Sequence, residues 1–342
     1  MNTYFRGCLM GGAIGDALGW PVEFMHLKEI KKNFGDQGIK DLIVSKYGFA
    51  EITDDTQMTI FTVEGLLRAE NRGINRGIVH IPSMVHQSYS RWLATQDVDS
   101  QVSKDGWVYG LDSLHTRRAP GNTCLSALAS GIMDEIRKPI NGSKGCGGVM
   151  RTAPVGLFYN KKAAFQYGCE LAAITHGHPS GYLSSGALSY LIASIIETSD
   201  LTQVVEGMLD ELKGWQHHEE CMAVAAAKAA QLATENIPDS KAIEILGEGW
   251  VGEEALAISI YCALKHQNDF QTALITSVNH NGDSDSTGAI TGNILGALLG
   301  MEGIPKHWVK QVELSAELLE LADDLFKRYD ESQAWQEKYP GW

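Results

Sequence analysis

Paired cysteines and long apolar runs are both missing from this sequence. Its six cysteines are scattered without C-x-x-C spacing, which excludes a short disulfide framework and predicts reduced thiols. No stretch reaches the roughly 18 uninterrupted apolar residues of a membrane span. The first twenty residues lack the order of charge, apolar run and cleavage site that marks a signal peptide. These absences predict a soluble cytoplasmic protein that does not enter a membrane.

Basic residues are also scarce. The chain has 28 Lys and Arg against 42 Asp and Glu, for a net charge of -14. This balance argues against nonspecific nucleic-acid binding, which needs clustered cations against the phosphate backbone. A small anionic ligand stays possible if metal ions, helix N-termini or a few cationic side chains overcome the long-range repulsion.

Strict alternation of apolar and polar residues, the mark of a half-buried strand, is rare here, whereas spacings of three and four are common. The chain is therefore predicted to be all-α. No low-complexity linker divides it, so we expect one domain over residues 1–342. Helices are predicted over 55–70, 122–136, 163–175, 181–197, 201–213, 219–234, 251–266, 270–278, 286–299 and 308–329.

Glycines recur every four residues in two segments at opposite ends of the sequence. Residues four apart share one helical face, and each glycine in a helix costs roughly 0.5–1 kcal/mol relative to alanine. Close packing of a neighbouring helix would offset that cost, so we predict that both helices are central. Phosphate binding by these amides is the weaker alternative, because a helix already uses them. The glycines are Gly7, Gly11, Gly15 and Gly19, and Gly288, Gly292, Gly296 and Gly300.

Acidic residues lie at the ends of these two segments. Asp16 and Glu23 fall at the end of the first, and Asp283 and Asp285 just before the second. Antiparallel packing would bring them together, and the cluster at 53–56 (TDDT) begins another helix. Carboxylates at such distances cannot all stay ionised without a cation. Each cluster alone fits an ordinary N-cap, but one cap does not need so many acids, and their all-oxygen donors favour Mg or Mn over zinc.

The segment around Asp283 partly matches two other motifs. As an EF-hand loop it would need a bidentate glutamate at its twelfth position, where Ile294 stands, so that motif is rejected. Asp283-x-Asp285-x-Thr287 also matches the nucleophile motif of haloacid-dehalogenase-like phosphotransferases. That family needs a lysine and further acids well downstream, and little of this chain follows, so it remains a minor alternative.

Seven ordered motifs together resemble the ADP-ribosylglycohydrolase family, which includes ADP-ribosylarginine hydrolases and the dinitrogenase reductase-activating glycohydrolase. The resemblance spans nearly the whole chain, and TDDT with GDSDST carries most of it. The motifs are GGAIGDALGWPVEF at 11–24, TDDTQMTI at 53–60, GNTCLSAL at 121–128, GCGGVMRTAPVGL at 145–157, THGHPSG at 175–181, GEGWVGEEALAISIYCAL at 247–264 and GDSDSTGAITGNILGALLG at 282–300.

The resemblance implies an all-α, compact orthogonal multi-helix bundle with two Mg or Mn ions in a central cleft. It implies that Glu23 is a metal-associated glutamate that orients water or gates the substrate, and that Asp16 supports the site without binding metal. The implied metal ligands are Thr53, Asp54, Asp55, Asp283, Asp285 and Ser286.

The implied reaction is hydrolysis of the glycosidic bond between ADP-ribose and a protein side chain, nucleic acid or small molecule, with release of ADP-ribose. Glu23, Asp55 and Asp285 are the expected catalytic residues that position the attacking water. Two alternatives stay open: a two-metal phosphoester or pyrophosphate hydrolase, and a non-catalytic ADP-ribose-binding protein. The expected diphosphate-binding residues, through backbone amides, are Gly121, Asn122, Thr123, Gly145, Gly147, Gly148 and Met150.

Other polar and aromatic side chains in these motifs have two interpretations. Arg151 suits either phosphate and ribose oxygens or an internal salt bridge. His176 is predicted to be a hydrogen-bonding residue near the substrate, with proton transfer as the minority interpretation. Cys146 is predicted to fill space between glycines, and Trp250 to be a buried aromatic joint rather than a residue that stacks on adenine.

The sequence departs from arginine-specific relatives just before GNTC. Those relatives commonly have an acidic residue there, whereas this chain has Arg117 and Arg118. Two cations would serve a guanidinium substrate poorly unless Asp112 folds back. The arginine specificity of those relatives is therefore not carried over to this chain, and carboxylate, hydroxyl, phosphate and nucleic-acid linkages, as well as a small free ADP-ribosyl metabolite, stay open.

Overall fold

The computed structural model describes residues 1–98, 100–133, 135–218 and 222–341, without the side chains of 222–224. This part of the chain contains no β-sheet, only isolated bridges, which confirms the all-α prediction. The helices are α1 (Asn2–Gly19), α2 (Leu27–Phe34), α3 (Asp54–Arg76), α4 (Ile81–Thr95), α5 (Asn122–Ala129), α6 (Ala153–Phe158), α7 (Lys161–Ala173), α8 (Pro179–Glu197), α9 (Leu201–Lys213), α10 (Met222–Thr234), α11 (Asp239–Leu246), α12 (Gly252–Lys265), α13 (Phe270–Val278), α14 (Ser284–Leu299), α15 (Lys306–Gln311), α16 (Ser315–Lys327) and α17 (Gln333–Lys338). Short 3-10 helices cover Trp20–Val22, Val108–Gly110, Asp112–His115, Cys146–Arg151 and Met301–Gly303.

The glycine faces of α1 and α14 pack directly against each other. The helices are antiparallel, because Gly7 near the start of α1 lies against Gly296 near the end of α14, Gly11 lies against Gly292, and Gly15 lies against Gly288. A Cβ atom on any of these six glycines would collide with the facing backbone carbonyl. Contact this close offsets the cost of glycine in a helix through dispersion between two main chains. The prediction of a central helix pair is confirmed.

Other helices enclose this pair. α16 packs on α1, α12 and α13 pack on α14, and α8 reaches α14 from a second layer that it forms with α7. α3 contacts both central helices. As a result, the end of α1 and the beginnings of α3 and α14 meet in the interior of the helical array.

Most predicted helices are confirmed within a few residues, but one ends early. The segment predicted over 122–136 stops at Ala129, because Gly131 adopts a left-handed backbone (φ 68°) that turns the chain. The helix predicted over 219–234 is seen from Met222 onward as α10, and 219–221 lie outside the described residues.

The helix predicted over 308–329 is wrong as a single element. It divides into α15 and α16 because Val312 is extended and Leu314 has a positive φ of 57°. At this break the main chain pairs with Ala50 on both sides, through the carbonyl of Gln311 and the amide of Glu313. The break lets the Glu313 side chain enter the interior, where it is 3 % exposed.

Among the residues that the structure describes, none of the helices combines the length and the apolar character that a membrane crossing requires.

Candidate active site

Six acidic side chains converge where α1 ends and where α3 and α14 begin. All are buried, with Glu23 the most exposed at 8 %. Across the described residues, none of the six forms an ion pair with Lys, Arg or His. Buried acids without a cationic partner are costly, so their convergence needs a specific explanation. They are Asp16, Glu23, Asp54, Asp55, Asp283 and Asp285.

Asp16 fixes the start of α3 against α1. Its carboxylate accepts hydrogen bonds from the amide of Thr53 (3.0 and 3.1 Å), the Thr53 hydroxyl (2.8 Å), and the amide and hydroxyl of Thr56. Burial raises the pKa of Asp16 to about 6, and these donors limit the rise. With its oxygens used in this way, Asp16 orients the acidic turn, which supports the interpretation that it does not itself bind metal.

The N-cap interpretation explains only part of the first acidic cluster. The Thr53 hydroxyl caps α3 by accepting from the amide of Asp55 (3.3 Å). Asp54 instead accepts a hydrogen bond from the amide of Gly121 (Oδ2 to N, 3.1 Å), which brings the GNTC loop to the site. The Oδ1 atom of Asp55 is buried and has no hydrogen-bond partner. Capping therefore does not account for either carboxylate.

The second cluster also contains more acid than its cap requires. Asp283 caps α14 by accepting from the amide of Ser286 (Oδ1 to N, 3.2 Å). Asp285 accepts from the same amide (2.9 Å) and shares hydrogen bonds with Asp283 and Glu23. The Oε2 atom of Glu23 is buried and unpartnered. Beyond these bonds from Ser286, the carboxylates of Asp283 and Asp285 receive no hydrogen bond from an α14 amide in the described structure.

Burial and mutual repulsion change the protonation of these acids. Loss of water and then the neighbouring charges of Asp283 and Asp54 raise the pKa of Glu23 to about 9. Burial raises the pKa of Asp54 to about 8 despite the hydrogen bond from Gly121, and holds the pKa values of Asp55 and Asp285 well above the ordinary range. A chain without a cation therefore keeps several of these groups protonated at neutral pH.

This protonation predicts how the metal-free protein responds to pH. Folding raises the pKa of Glu23 from 4.5 to about 9 and that of Asp54 from 3.8 to about 8. Their stabilising contribution is complete below the unfolded pKa values and is lost as pH rises through the folded ones. We expect the melting temperature in EDTA to fall between about pH 6 and about pH 9, and Mg to offset more of the loss at the upper end. Calorimetry at fixed ionic strength measures the melting temperature at each pH. A melting temperature that rises across this pH interval contradicts the prediction.

The donor set fits a hard divalent cation. Within the described residues, no three His, Cys, Asp or Glu side chains already stand as a group that would hold a metal ion. Two buried oxygens, Glu23 Oε2 and Asp55 Oδ1, lack partners, and every other donor of the expected set is a carboxylate or hydroxyl oxygen. Oxygen donors with surplus negative charge are what Mg and Mn prefer.

The two glycine loops of the sequence motifs lie beside these acids. Gly121 and Asn122 are exposed at the start of α5, and Thr123 is half-buried, with its hydroxyl 3.1 Å from that of Ser143. In the second loop, Gly145 and Gly147 are half-buried. Gly148 and Met150 are buried.

Arg151 and His176 both lie inside the protein. Arg151 has no exposed surface and its guanidinium stacks on the Tyr89 ring at 4.3 Å. It donates to the Thr175 hydroxyl (2.6 Å), which also contacts His176 Nδ1 (2.8 Å). Burial and the Arg151 charge lower the pKa of His176 to about 3, so this ring is neutral. These contacts support the internal interpretation of Arg151, although through hydrogen bonds and an aromatic ring rather than a salt bridge.

Arg118 is neutralised by an acid that the sequence does not place near it. Its guanidinium donates to both carboxylate oxygens of Glu313 and to the Ile52 carbonyl (2.9 Å). Arg117 is exposed, and its guanidinium approaches the Gln96 carbonyl at 3.5 Å. The argument that two free cations disfavour a guanidinium substrate is therefore wrong for Arg118.

The Arg118–Glu313 pair gives a direct test of this structural role. Glu313→Ala leaves a buried guanidinium without its counter-ion and is expected to lower the free energy of unfolding by about 3–5 kcal/mol. The double variant Arg118→Met/Glu313→Leu removes both charges and is expected to recover most of that loss. Urea unfolding measures both variants; a single variant within about 1 kcal/mol of wild type would refute the buried pair.

Comparisons with known proteins agree with this arrangement. The family model described as ADP-ribosylglycohydrolase matches residues 2–335. The chain belongs to the ADP-ribosylglycohydrolase family. It is 26 % identical to "ADP-ribosylhydrolase ARH3" of Mus musculus, over 96 % of this chain and 92 % of that protein. It is 24 % identical to "ADP-ribosyl-[dinitrogen reductase] glycohydrolase" of Rhodospirillum rubrum, over 91 % and 90 %.

A solved structure shows the same fold. It is titled "ADP-ribosylglycohydrolase-related protein complex" and aligns with a TM-score of 0.65 at 22 % identity, over 96 % of this chain and 98 % of that one. Membership of the ADP-ribosylglycohydrolase family makes this chain a hydrolase of ADP-ribosyl compounds.

Two features near the acids were not predicted. Trp250 is 39 % exposed and stacks on Phe24, which is 71 % exposed, with ring centroids 5.9 Å apart; the prediction of a buried Trp250 is wrong. Cys146 does more than fill space, because its thiol donates to Asp283 Oδ2 at 2.7 Å. The sequence places both features next to expected site residues. Phe24 directly follows Glu23, and Cys146 lies between Gly145 and Gly147.

Proposed function

We propose that this chain is a Mg- or Mn-dependent ADP-ribosylglycohydrolase that cleaves the glycosidic bond between ADP-ribose and an acceptor and releases ADP-ribose. One observation carries the proposal: six buried carboxylates without a basic partner in the described residues converge in a chain that matches the family from residue 2 to residue 335. Residues 1–342 are taken as the single domain of this enzyme.

The metal ions would be held by oxygen atoms from the first turns of α3 and α14. Bound divalent cations supply Lewis acidity toward ribose hydroxyls and lower the pKa of a bound water. The chain itself holds the acidic side chains at fixed positions around the proposed metal site. The proposed ligands are Thr53, Asp54, Asp55, Asp283, Asp285 and Ser286.

The attacking water needs an acceptor for its proton and a fixed direction. Glu23 Oε2 and Asp55 Oδ1 are the buried carboxylate oxygens of the cluster without a partner, so they are available for this role. Asp285 lies close enough to Glu23 for the two carboxyl groups to interact by charge, so it is proposed to position that side chain. Departure of the acceptor from the ribose leaves an oxocarbenium-like centre, which these carboxylates stabilise by charge.

The diphosphate is proposed to bind above α5. Asn122 and Thr123 lie in the first turn of this helix, whose amides have no intrahelical acceptor and carry partial positive charge. The amide of Gly121 is already used by Asp54, so Gly121 couples the diphosphate loop to the acids. Gly145 and Gly147 face the same region from the second loop.

The acceptor is proposed to be a protein side chain, a nucleic acid or a small molecule. By their names, the relative from Rhodospirillum rubrum acts on dinitrogen reductase and the one from Mus musculus is an ADP-ribosylhydrolase. Because Glu313 neutralises Arg118, arginine returns to the set of possible acceptors.

Product analysis tests the proposal. The protein is incubated with ADP-ribosyl-arginine, ADP-ribosyl-serine and ADP-ribosylated nucleic acid, each with Mg, Mn or EDTA. The expected result is intact ADP-ribose from at least one substrate with either metal and none in EDTA. Products of pyrophosphate cleavage, such as AMP, would support the phosphoester alternative instead. Binding of ADP-ribose without turnover of any substrate would contradict the enzymatic proposal.

A further inference from the structure

The thiol of Cys146 is a soft donor that hydrogen-bonds directly to the acidic cluster. Cys146 lies between Gly145 and Gly147 and donates to Asp283 Oδ2 at 2.7 Å. The Ser286 hydroxyl lies 3.7 Å from its sulfur atom. Sulfur therefore borders two of the proposed oxygen ligands.

Asp55 is a third acidic or hydroxyl side chain near the Cys146 thiol. Asp55 interacts with both Ser286 and Cys146, and its Oδ1 atom is buried without a partner. Asp55 is 3 % exposed, so this oxygen is an acceptor that no protein donor and no open solvent surface satisfies. Cys146 thus contacts Asp283 directly, and Asp55 lies near enough to act on the thiol by charge.

The main chain fixes the position of this sulfur. Cys146 begins a 3-10 helix, and its amide donates to the Trp250 carbonyl (3.2 Å). The amide of Gly252 donates to the Lys144 carbonyl (2.8 Å) on the other side of the pairing. The loop is thereby attached to the segment before α12, which holds the thiol at the cluster.

We propose that Cys146 makes this centre selective for thiophilic cations, so that Zn or Cd binds to a sulfur and oxygen set there in competition with Mg. The inference rests on the metal centre of the proposed function. Thiolate sulfur favours zinc and cadmium, whereas Mg gains nothing from it. On binding, the S–H bond of Cys146 is replaced by a sulfur–metal bond and the proton passes to solvent.

Cys124 provides a matched comparison. It is a buried thiol in α5 whose sulfur lies 3.3 Å from the Arg151 guanidinium, and Asp54 acts on it by charge, whereas Cys146 is hydrogen-bonded to an acid. A cation next to the sulfur disfavours a second cation at that position. Cys124→Ser therefore removes a comparable thiol without removing the proposed ligand.

The test measures metal binding directly. Cd is titrated into metal-free wild type, Cys146→Ser and Cys124→Ser, and the ultraviolet charge-transfer absorption of a cadmium–thiolate bond is recorded. Zn affinity is measured by competition with a chromogenic chelator, and the thermal shift induced by Mg is measured in parallel. We expect Cys146→Ser to lose the absorption band and to bind Zn about tenfold or more weakly, with its Mg-induced shift retained. Cys124→Ser is expected to behave as wild type.

The inference is overturned if Cys146→Ser keeps the band, or if it loses Zn and Mg binding equally, which would indicate a structural role only. A Mg-induced thermal shift in wild type without any cadmium–thiolate band contradicts this inference but leaves the proposed function intact. A band that depends on Cys146 without any Mg-induced shift supports the inference and contradicts the metal requirement of the proposed function.

Discussion

Asp55→Asn and Asp285→Asn are each expected to lower ADP-ribose release by about 10³-fold or more, which corresponds to roughly 4 kcal/mol of transition-state stabilisation. Asparagine keeps the shape of the side chain but removes the charge that attracts cations and accepts protons. Both side chains are 3 % exposed, so solvent cannot replace the lost carboxylate. Steady-state kinetics in saturating Mg measures the effect, and alanine at either position should give the same loss.

The same variants should not unfold. Burial and then the charges of neighbouring acids raise the pKa values of both carboxyl groups, so replacing either acid by an amide removes a group that is costly to ionise there. We expect the melting temperature in EDTA to be equal to or above that of wild type, with the Mg-induced increase strongly reduced. Asp210→Asn is the control, because Asp210 is an exposed residue paired with Lys213. Activity within tenfold of wild type in either site variant would reject the assignment.

Gly11→Val is expected to have the largest effect on stability in the chain. Any Cβ at this position collides with the Gly292 carbonyl, and a neighbouring main chain in the centre of the protein cannot move aside. We expect a loss of at least about 4 kcal/mol, enough to leave little folded protein at the usual stability of a domain. Soluble yield and chemical unfolding measure this loss.

A second glycine separates this packing effect from helix propensity. Gly73 in α3 has only Val79 near its missing Cβ, at 3.4 Å, which is ordinary van der Waals contact. Gly73→Ala is therefore expected to stabilise the protein by roughly 0.5–1 kcal/mol. If Gly11→Val melts within a few degrees of wild type, the two central helices do not pack as described.

The central pair was predictable because its signal is periodic. Glycine at every fourth position specifies both the helix and the face that must lie close to another main chain. The acidic ends of these helices then follow from antiparallel packing, so the convergence of Asp16 with Asp285 needs no further information. Each glycine face can be recognised within its own segment, although the two faces that pack together lie at opposite ends of the sequence.

The missed contacts of Arg118 and Cys146 join distant parts of the chain. Glu313 lies at the break in the helix predicted over 308–329, and its partner, Arg118, is 195 positions away. Cys146 meets Asp283 across 137 positions. Neither contact has a periodic or local signature in the sequence. The family resemblance identifies motif residues, but it does not say which side chains from other segments contact them.

The central claim is that the carboxylates at the ends of α1, α3 and α14 form a divalent-cation centre for ADP-ribose hydrolysis. Crystals grown with Mn and measured for the anomalous scattering of manganese test it most directly. The account predicts anomalous peaks among the oxygens of Thr53, Asp54, Asp55, Asp283, Asp285 and Ser286, and their loss in Asp285→Asn. Manganese bound elsewhere, with these carboxylates still hydrogen-bonded to one another in an active enzyme, would contradict it.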